Sequence, residues 1–444
     1  LEDWAGLAAD PRVTLIQEEI RTAVERLDET YDVVVLSLTE TYHPISSGAF
    51  TLNEDYTSTV EAFGSYFDRL EPDGLFLTHR WLQEPPSETL RTLATTLHAL
   101  DARDPLERIV AFRSFQHGTF IVKPSGYSQA EVDTLLASIG DLLYDLTLAP
   151  RLPDEMVNRY ARLPEPVYHD TYVALLRAPD RGAFYADYPF DITPPTDAHP
   201  FFFHLFRWEQ TSDVLENLGR RWQPFGGSGY FVLLALLAFA VVAALVFVLL
   251  PVLLRRRFRG ALRSLGGRRA ARILGYFTLL GLAFLLVEVS LIQQYILVLG
   301  QPTLAVATVI GALLLFAGLG SSLSRRFSWG RAMIALVVLL AVYPLLVDGL
   351  TPLLLPLPTP ARILVTALLI APVGFLMGMP FPRGVAALRD SSDVVPWAWA
   401  ANGSASVISA VLAAMLALSF GFSAVLVIGA GLYLCAALIR WSPG

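Results

Sequence analysis

The chain carries a single cysteine, Cys435, among 444 residues, which excludes an internal disulfide and any zinc site built on several thiolates. Its seven histidines are scattered and none stands in HxxxH or HExxH spacing, so no metal is expected. Charge is scarce in one half: after Gly229 there are fifteen arginines but only four acids, Glu288, Asp348, Asp390 and Asp393. The other 18 basic and 36 acidic residues precede it. A region that acidic repels phosphate backbones and anionic headgroups, so nucleic acid is not expected as a partner. Its natural neighbour is water or a small cationic substrate.

What the chain has in excess is apolar residues, 54% of the total with a mean hydropathy of +0.50, too apolar for one wetted globule. Two regions are expected. In the first, residues 12–17 (RVTLIQ) read as a strand and 18–27 as a helix. Residues 31–38 (YDVVVLSL) form a continuous β-branched run, the mark of a strand buried on both faces of a parallel sheet. A helix over 58–70, a turn at 71–74 and a strand over 75–78 follow, then a helix over 85–99 and strands over 108–112 and 119–122. Alternation of this kind predicts α/β architecture with a doubly wound, Rossmann-type sheet over residues 1–140. Ligands on such sheets bind at the carboxyl ends of the strands, here residues 37–42. Residues 141–226 read as a Pro- and aromatic-rich extension and linker. Within it Phe201, Phe202 and Phe203 read as a hydrophobic clasp closing the domain, with substrate contact as the alternative.

Residues 227–444 read as a transmembrane bundle in a lipid bilayer, of about seven helices. The segments are 230–254, 273–299, 303–323, 332–347, 363–379, 399–420 and 423–439.

The motifs carry a resemblance. YDVVVLSLTETY (31–42), DPRV (10–13), FTLNEDY (50–56) and LEPDGLF (70–76) resemble the spermidine synthase family over about residues 8 to 125. With SSGAFTLNEDYTSTVEAF (46–63), TDAHPFFF (196–203), LLVEVSLIQQYILVLGQP (285–302) and GMPFPRG (378–384), the whole chain resembles the membrane-fused spermidine synthase-like proteins of bacteria. The resemblance implies a methyltransferase-type domain binding S-adenosylmethionine or its decarboxylated form, with the Gly-rich phosphate-side loop expected upstream of Leu1. Glu19 matches the carboxylate that receives the adenine amine. The family's amine-activating pair of aspartates is matched by Ser37 and Glu40, with Tyr42 and His43 placed to orient a substrate. Serine in the first position removes a charge and a base, so aminopropyl transfer itself is not expected. Glu40 has two readings, a cation-binding carboxylate or a solvated acid at a strand end. Beside the spermidine synthase-like reading stand two others: a transporter-like or polyamine-sensing membrane protein with a non-catalytic soluble domain, and a membrane methyltransferase.

In the hydrophobic half Glu288 is the one acid central to a segment, and Gln293 and Asn402 bring polar groups to it or to a neighbouring helix. They read either as interhelical hydrogen bonding or as a polar path. The small residues in AGLGSS (317–322) and NGSAS (402–406) predict close helix approach, and Pro380 and Pro382 a break near the end of the fifth segment, with Arg383 reaching for headgroups. Arginines crowd alternate connections, at 255–272, 325–331, 383–389 and 440, while the others hold only Arg362. The positive-inside rule then puts those regions in the cytoplasm and, with an odd number of crossings, the acidic domain on the outer face of a bacterial cytoplasmic membrane.

Overall fold

The computed structural model describes residues 10–38, 54–101, 104–210, 228–256, 260, 264–388 and 393–439. Glu19 opens the first element: its carboxylate accepts from the backbone N–H groups of Arg21 and Thr22 and so caps α1 (Ile20–Arg26). Strand β1 (Tyr31–Leu36) is followed by α2 (Val60–Asp68), capped by the Thr59 hydroxyl, and by the long strand β2 (Leu70–Trp81). The Glu71-Pro72-Asp73-Gly74 turn predicted before this strand lies inside it, where the register against β1 jumps between Tyr31 and Val33. Gly74 is required there, because a Cβ would stand 2.9 Å from the Tyr31 carbonyl oxygen. Helix α3 (Glu88–Leu100), β3 (Ile109–Arg113) and β4 (His117–Val122) come next, then α4 (Gln129–Asp141), which opens on a capping box between Ser128 and Glu131.

The described strands make one five-stranded sheet, ordered β1-β2-β4-β3-β5. It is mixed: β1 and β2 are parallel, and the other three pairings are antiparallel. Two expectations are corrected here. Residues 12–17 form no strand, and Leu15 and Ile16 are exposed, since no described strand flanks β1 on that side to complete a ladder. For the same reason β1 is an edge strand among the described residues, and Val33 and Val35 are each about half exposed rather than buried. The sheet also continues past residue 140: β5 (Asp145–Leu148) pairs with β3, and α5 (Val167–Arg177) buries Tyr168 and Tyr172 against the domain core, followed by the short α6 (Arg181–Asp187).

Beyond residue 227 the described residues contain six helices long and apolar enough to cross a membrane: α7 (Tyr230–Leu254), α8 (Gly267–Leu299), α9 (Pro302–Arg326), α10 (Trp329–Leu354), the stretch Thr359–Ala386, and α13 (Val395–Leu438). The fifth is broken, as its prolines predict, into α11 (Thr359–Met377) and α12 (Pro380–Ala386). Six stretches stand for the expected seven segments because the last two, 399–420 and 423–439, follow each other without a loop as one stretch of 44 residues. It is interrupted at Gly421 (φ 79°, ψ 166°). Its two arms run in opposite senses along α8. In the first, Asn402, Ser406 and Ser409 donate in order to the carbonyls of Phe277, Gly281 and Leu282. In the second, Gly429 lies against Val287 and Ile439 against Gly275. A Cβ at residue 421 would meet the Ala198 carbonyl at 2.8 Å, so glycine is needed both for the turn and for that approach.

One end of the bundle carries the sheet domain. Arg362, at the start of α11, donates to the Val298 carbonyl at the end of α8 (2.9 Å) and to the Thr22 hydroxyl of α1 (3.2 Å). Tyr56 donates to the Gln293 carbonyl (2.9 Å), and the Phe422 N–H to the Ala198 carbonyl (3.1 Å). At the opposite end the Tyr276 hydroxyl bonds the Pro380 carbonyl and Arg383 bonds the Phe327 carbonyl, so Arg383 ties two connections together. The described arginines of the Arg-rich connections therefore lie at the end away from the acidic domain.

Candidate functional site

At the carboxyl end of β1 the chain leaves the sheet at Ser37, and a cavity of about 230 Å³ opens beside it. The cavity is lined by Ser37 and Leu38, by Glu54 and Asp55 on the segment before α2, by Arg80 and Trp81 at the end of β2, by Glu88 on the first turn of α3, and by Phe203. Three acids, two aromatic residues and one arginine thus line it, with the Glu88 carboxylate accepting from the Gln83 side-chain amide. Arg80 is held in the wall, donating to the Ser58 hydroxyl (2.7 Å) and the His79 carbonyl (3.0 Å) with its guanidinium 4.8 Å above the Phe202 ring. What remains is a carboxylate-rich recess with aromatic faces, a setting that favours an organic cation.

The acids are fixed from both sides. The Asp55 N–H donates to the Pro200 carbonyl, and its carboxylate accepts from the N–H and hydroxyl of Thr57. Tyr56 is bonded to α8 as described, and its phenol is pushed well above its ordinary pKa by burial and by the nearby charge of Glu54. Burial also raises the Glu54 carboxyl above the usual carboxylate range. The TDAHPFFF loop closes the recess. Arg91, fully buried on α3, donates to the carbonyls of Thr193, Phe201, Phe202 and His204 and pairs with Asp191 at 3.7 Å. His199 bonds the Leu418 carbonyl at 2.8 Å, an acceptor only, so its Nε2 carries a proton. His204 is pushed down to about 4 by burial and by Arg91, and is neutral at pH 7.

Of the residues read from the sequence, Ser37 lines this recess, whereas Glu40, Tyr42 and His43 lie outside the described residues. Glu19 does not line it: both carboxylate oxygens cap α1, and the residue packs beside Gly300 at the top of the bundle. Phe201 and Phe202 are buried as a clasp, Phe201 against Phe422, while Phe203 lines the recess. The membrane trio is not one cluster. Asn402 bonds the Phe277 carbonyl, eleven residues along α8 from Glu288, roughly 16 Å of helix. Gln293 lies roughly 140° around the α8 axis from Glu288. Among the described residues no three His, Cys, Asp or Glu side chains gather as for a metal.

Glu54, Asp55, Trp81 and Glu88 were not singled out in the sequence. Glu54 and Asp55 stand inside the FTLNEDY motif, and the run of two acids after an apolar stretch was the available signal. Comparison of the chain with models of known families, with curated proteins and with solved structures finds no match.

Proposed function

We propose that the chain is a spermidine synthase-like membrane protein whose acidic domain binds a small organic cation at the end of β1 without transferring a group to it. The observation that carries this reading is the recess itself, where Glu54, Asp55 and Glu88 meet the rings of Trp81 and Phe203. A polyamine-like ligand would place its ammonium groups among the carboxylates and its methylenes on the rings. Transfer is disfavoured by Ser37, which lines the recess where the resemblance expects the amine-activating carboxylate. Nor does Glu19, which caps α1, line the recess where the resemblance expects it to receive the adenine amine. No S-adenosylmethionine-dependent step is therefore proposed.

The domain sits on the outer face of the membrane in this proposal, since the described arginines of the Arg-rich connections lie at the far end of the bundle. A cation-binding module there serves sensing or uptake rather than cytosolic synthesis. Titrating putrescine into the full chain in lipid nanodiscs tests the binding. Saturable binding is expected, weakened about tenfold or more in Glu54→Gln with Asp55→Asn; wild-type protein that binds no diamine overturns the reading. Orientation is read with Cys435→Ser carrying single cysteines at Ser125 or Ser264. An impermeant thiol reagent on intact cells should label the first alone, and labelling of the second alone reverses the topology.

A further inference from the structure

A second cavity, of about 130 Å³, lies below the first at the top of the bundle, between α7, α8 and α13. Glu54 lines both, so this carboxylate stands at the partition between an acidic recess and an intramembrane pocket. Around the lower cavity the walls are apolar, formed chiefly by Leu233, Val289, Ala414, Ala417, Leu418 and Phe422. Two polar atoms interrupt them. Ser290 Oγ and Gln293 Oε1 are buried and have no hydrogen-bond partner, although their residues line the cavity. Leaving such groups unpaired costs on the order of 1–3 kcal/mol each, so a site that keeps them is suited to a ligand that donates.

We infer that this lower cavity takes the alkyl chain of a primary amine whose ammonium group sits between Glu54, Gln293 and Ser290. This rests on the proposed cation site, because Glu54 belongs to both, but it specifies a different ligand shape. Three acceptors, a carboxylate, an amide oxygen and a hydroxyl, match the three N–H donors of an alkylammonium. An alcohol brings one donor and a quaternary ammonium none. Beyond the acceptors there is only hydrocarbon, so the second charge of a diamine would be stranded there. A dry cavity near 150 Å³ holds a benzene-sized molecule, so the space suits a chain of roughly six non-hydrogen atoms. Segment 54–56 is held in place above it by the Asp55 bond to Pro200 and the Tyr56 bond to Gln293, so the head group meets a preformed site.

The probes are n-hexylamine, hexanol and putrescine, titrated against the full chain in lipid nanodiscs. Hexylamine should bind saturably and hexanol about tenfold or more weakly. Ala417→Phe, which fills the tail space, should weaken hexylamine about tenfold while leaving putrescine within about twofold. Ala414→Phe fills the same space from α13 and serves if Ala417→Phe does not fold. Putrescine binding with no hexylamine binding sinks this inference and spares the cation site, and failure of both ligands removes both. Hexylamine binding that neither filling variant weakens, or that hexanol equals, also overturns it.

Discussion

The sheet domain and the helical bundle give their buried polar groups different partners. In the domain several buried guanidiniums have a carboxylate beside them: Arg113 pairs with Asp145 at 3.1 Å, Arg91 with Asp191, and Arg21 with Glu25 at 3.0 Å. In the bundle, side chains go to backbone carbonyls, as Asn402, Ser406, Ser409 and Tyr276 do, or give way to glycine. Gly320 lies under the Phe375 carbonyl, Gly378 under that of Ala317 and Gly281 under that of Asn402, each so close that a Cβ would overlap. The difference follows from solvent. In water the apolar surface drives association and can carry the cost of ordering ion pairs; in hydrocarbon it does not distinguish helix from lipid, so close approach and hydrogen bonds must.

The largest effect that separates the two regimes is expected at Asp145. Its carboxylate accepts from the N–H groups of Tyr160 and Ala161 and forms an ion pair with Arg113, and it is 1% exposed. Asp145→Ala leaves a buried guanidinium uncompensated and should cost about 3–5 kcal/mol. The double variant Arg113→Met with Asp145→Leu should recover much of that. Proteolytic susceptibility of the sheet domain in urea gives the measurement, and an Asp145→Ala cost below about 1 kcal/mol breaks the contrast.

Next comes the bundle. Gly320→Ala forces a methyl against the Phe375 carbonyl, whereas Gly311→Ala on the same helix meets nothing within 4 Å. The first should lose about 1–3 kcal/mol and the second nothing, read as melting in detergent. Equal melting of the two would show that the helices tolerate separation.

The AGLGSS and NGSAS runs marked close packing in the sequence because small side chains let helix backbones approach. Most strands and helices of the domain were legible for similar local reasons, from the β-branched run of β1 to the amphipathic run of α2. Pairing was not. A strand's sense depends on partners distant in the chain, so a mixed sheet and a parallel one share the same apolar runs, and the exposed face of β1 could not be foreseen. The break between the last two segments was legible, since they were read as ending at 420 and starting at 423, and Gly421 is the residue at which the two arms reverse. The candidate site was half legible: Ser37 was placed by the strand end, but Glu54, Trp81 and Glu88 converge on it only through the fold.

A smaller effect sharpens the electrostatic side. Asp197 accepts from the Thr59 hydroxyl at 2.7 Å and lies 3.8 Å from Arg21, yet burial and the charge of Glu61 outweigh Arg21 and raise its carboxyl to about 6. Between about pH 4 and 6 the folded state keeps a proton that the unfolded chain, with an ordinary carboxyl, has released. Stability from this group is thus full below about pH 4 and lost as pH rises through about 6, by on the order of 3 kcal/mol. Asp197→Asn should flatten that slope while retaining the bond from Thr59. A slope unchanged in the variant would assign it to another group.

The smallest effect is expected at Glu288, which by residue type is the most conspicuous position in the bundle. It is half-buried on α8 and makes no hydrogen bond with a described residue, while Ser290 and Gln293 line the cavity on roughly the opposite side of the helix. Without a partner it contributes no interhelical glue, so removing its polarity removes no contact. Glu288→Gln should leave melting unchanged. Glu288→Leu should leave it unchanged or raise it, because the polar head is replaced by an apolar one on a membrane helix. Amine binding at Glu54 should be the same in both variants. A Glu288→Leu protein that melts lower while Glu288→Gln does not would show a hydrogen-bonding role at this position. Loss of amine binding in Glu288→Gln would instead tie the acid to the cavity, and the bundle would then follow the charge-pairing rule of the sheet domain.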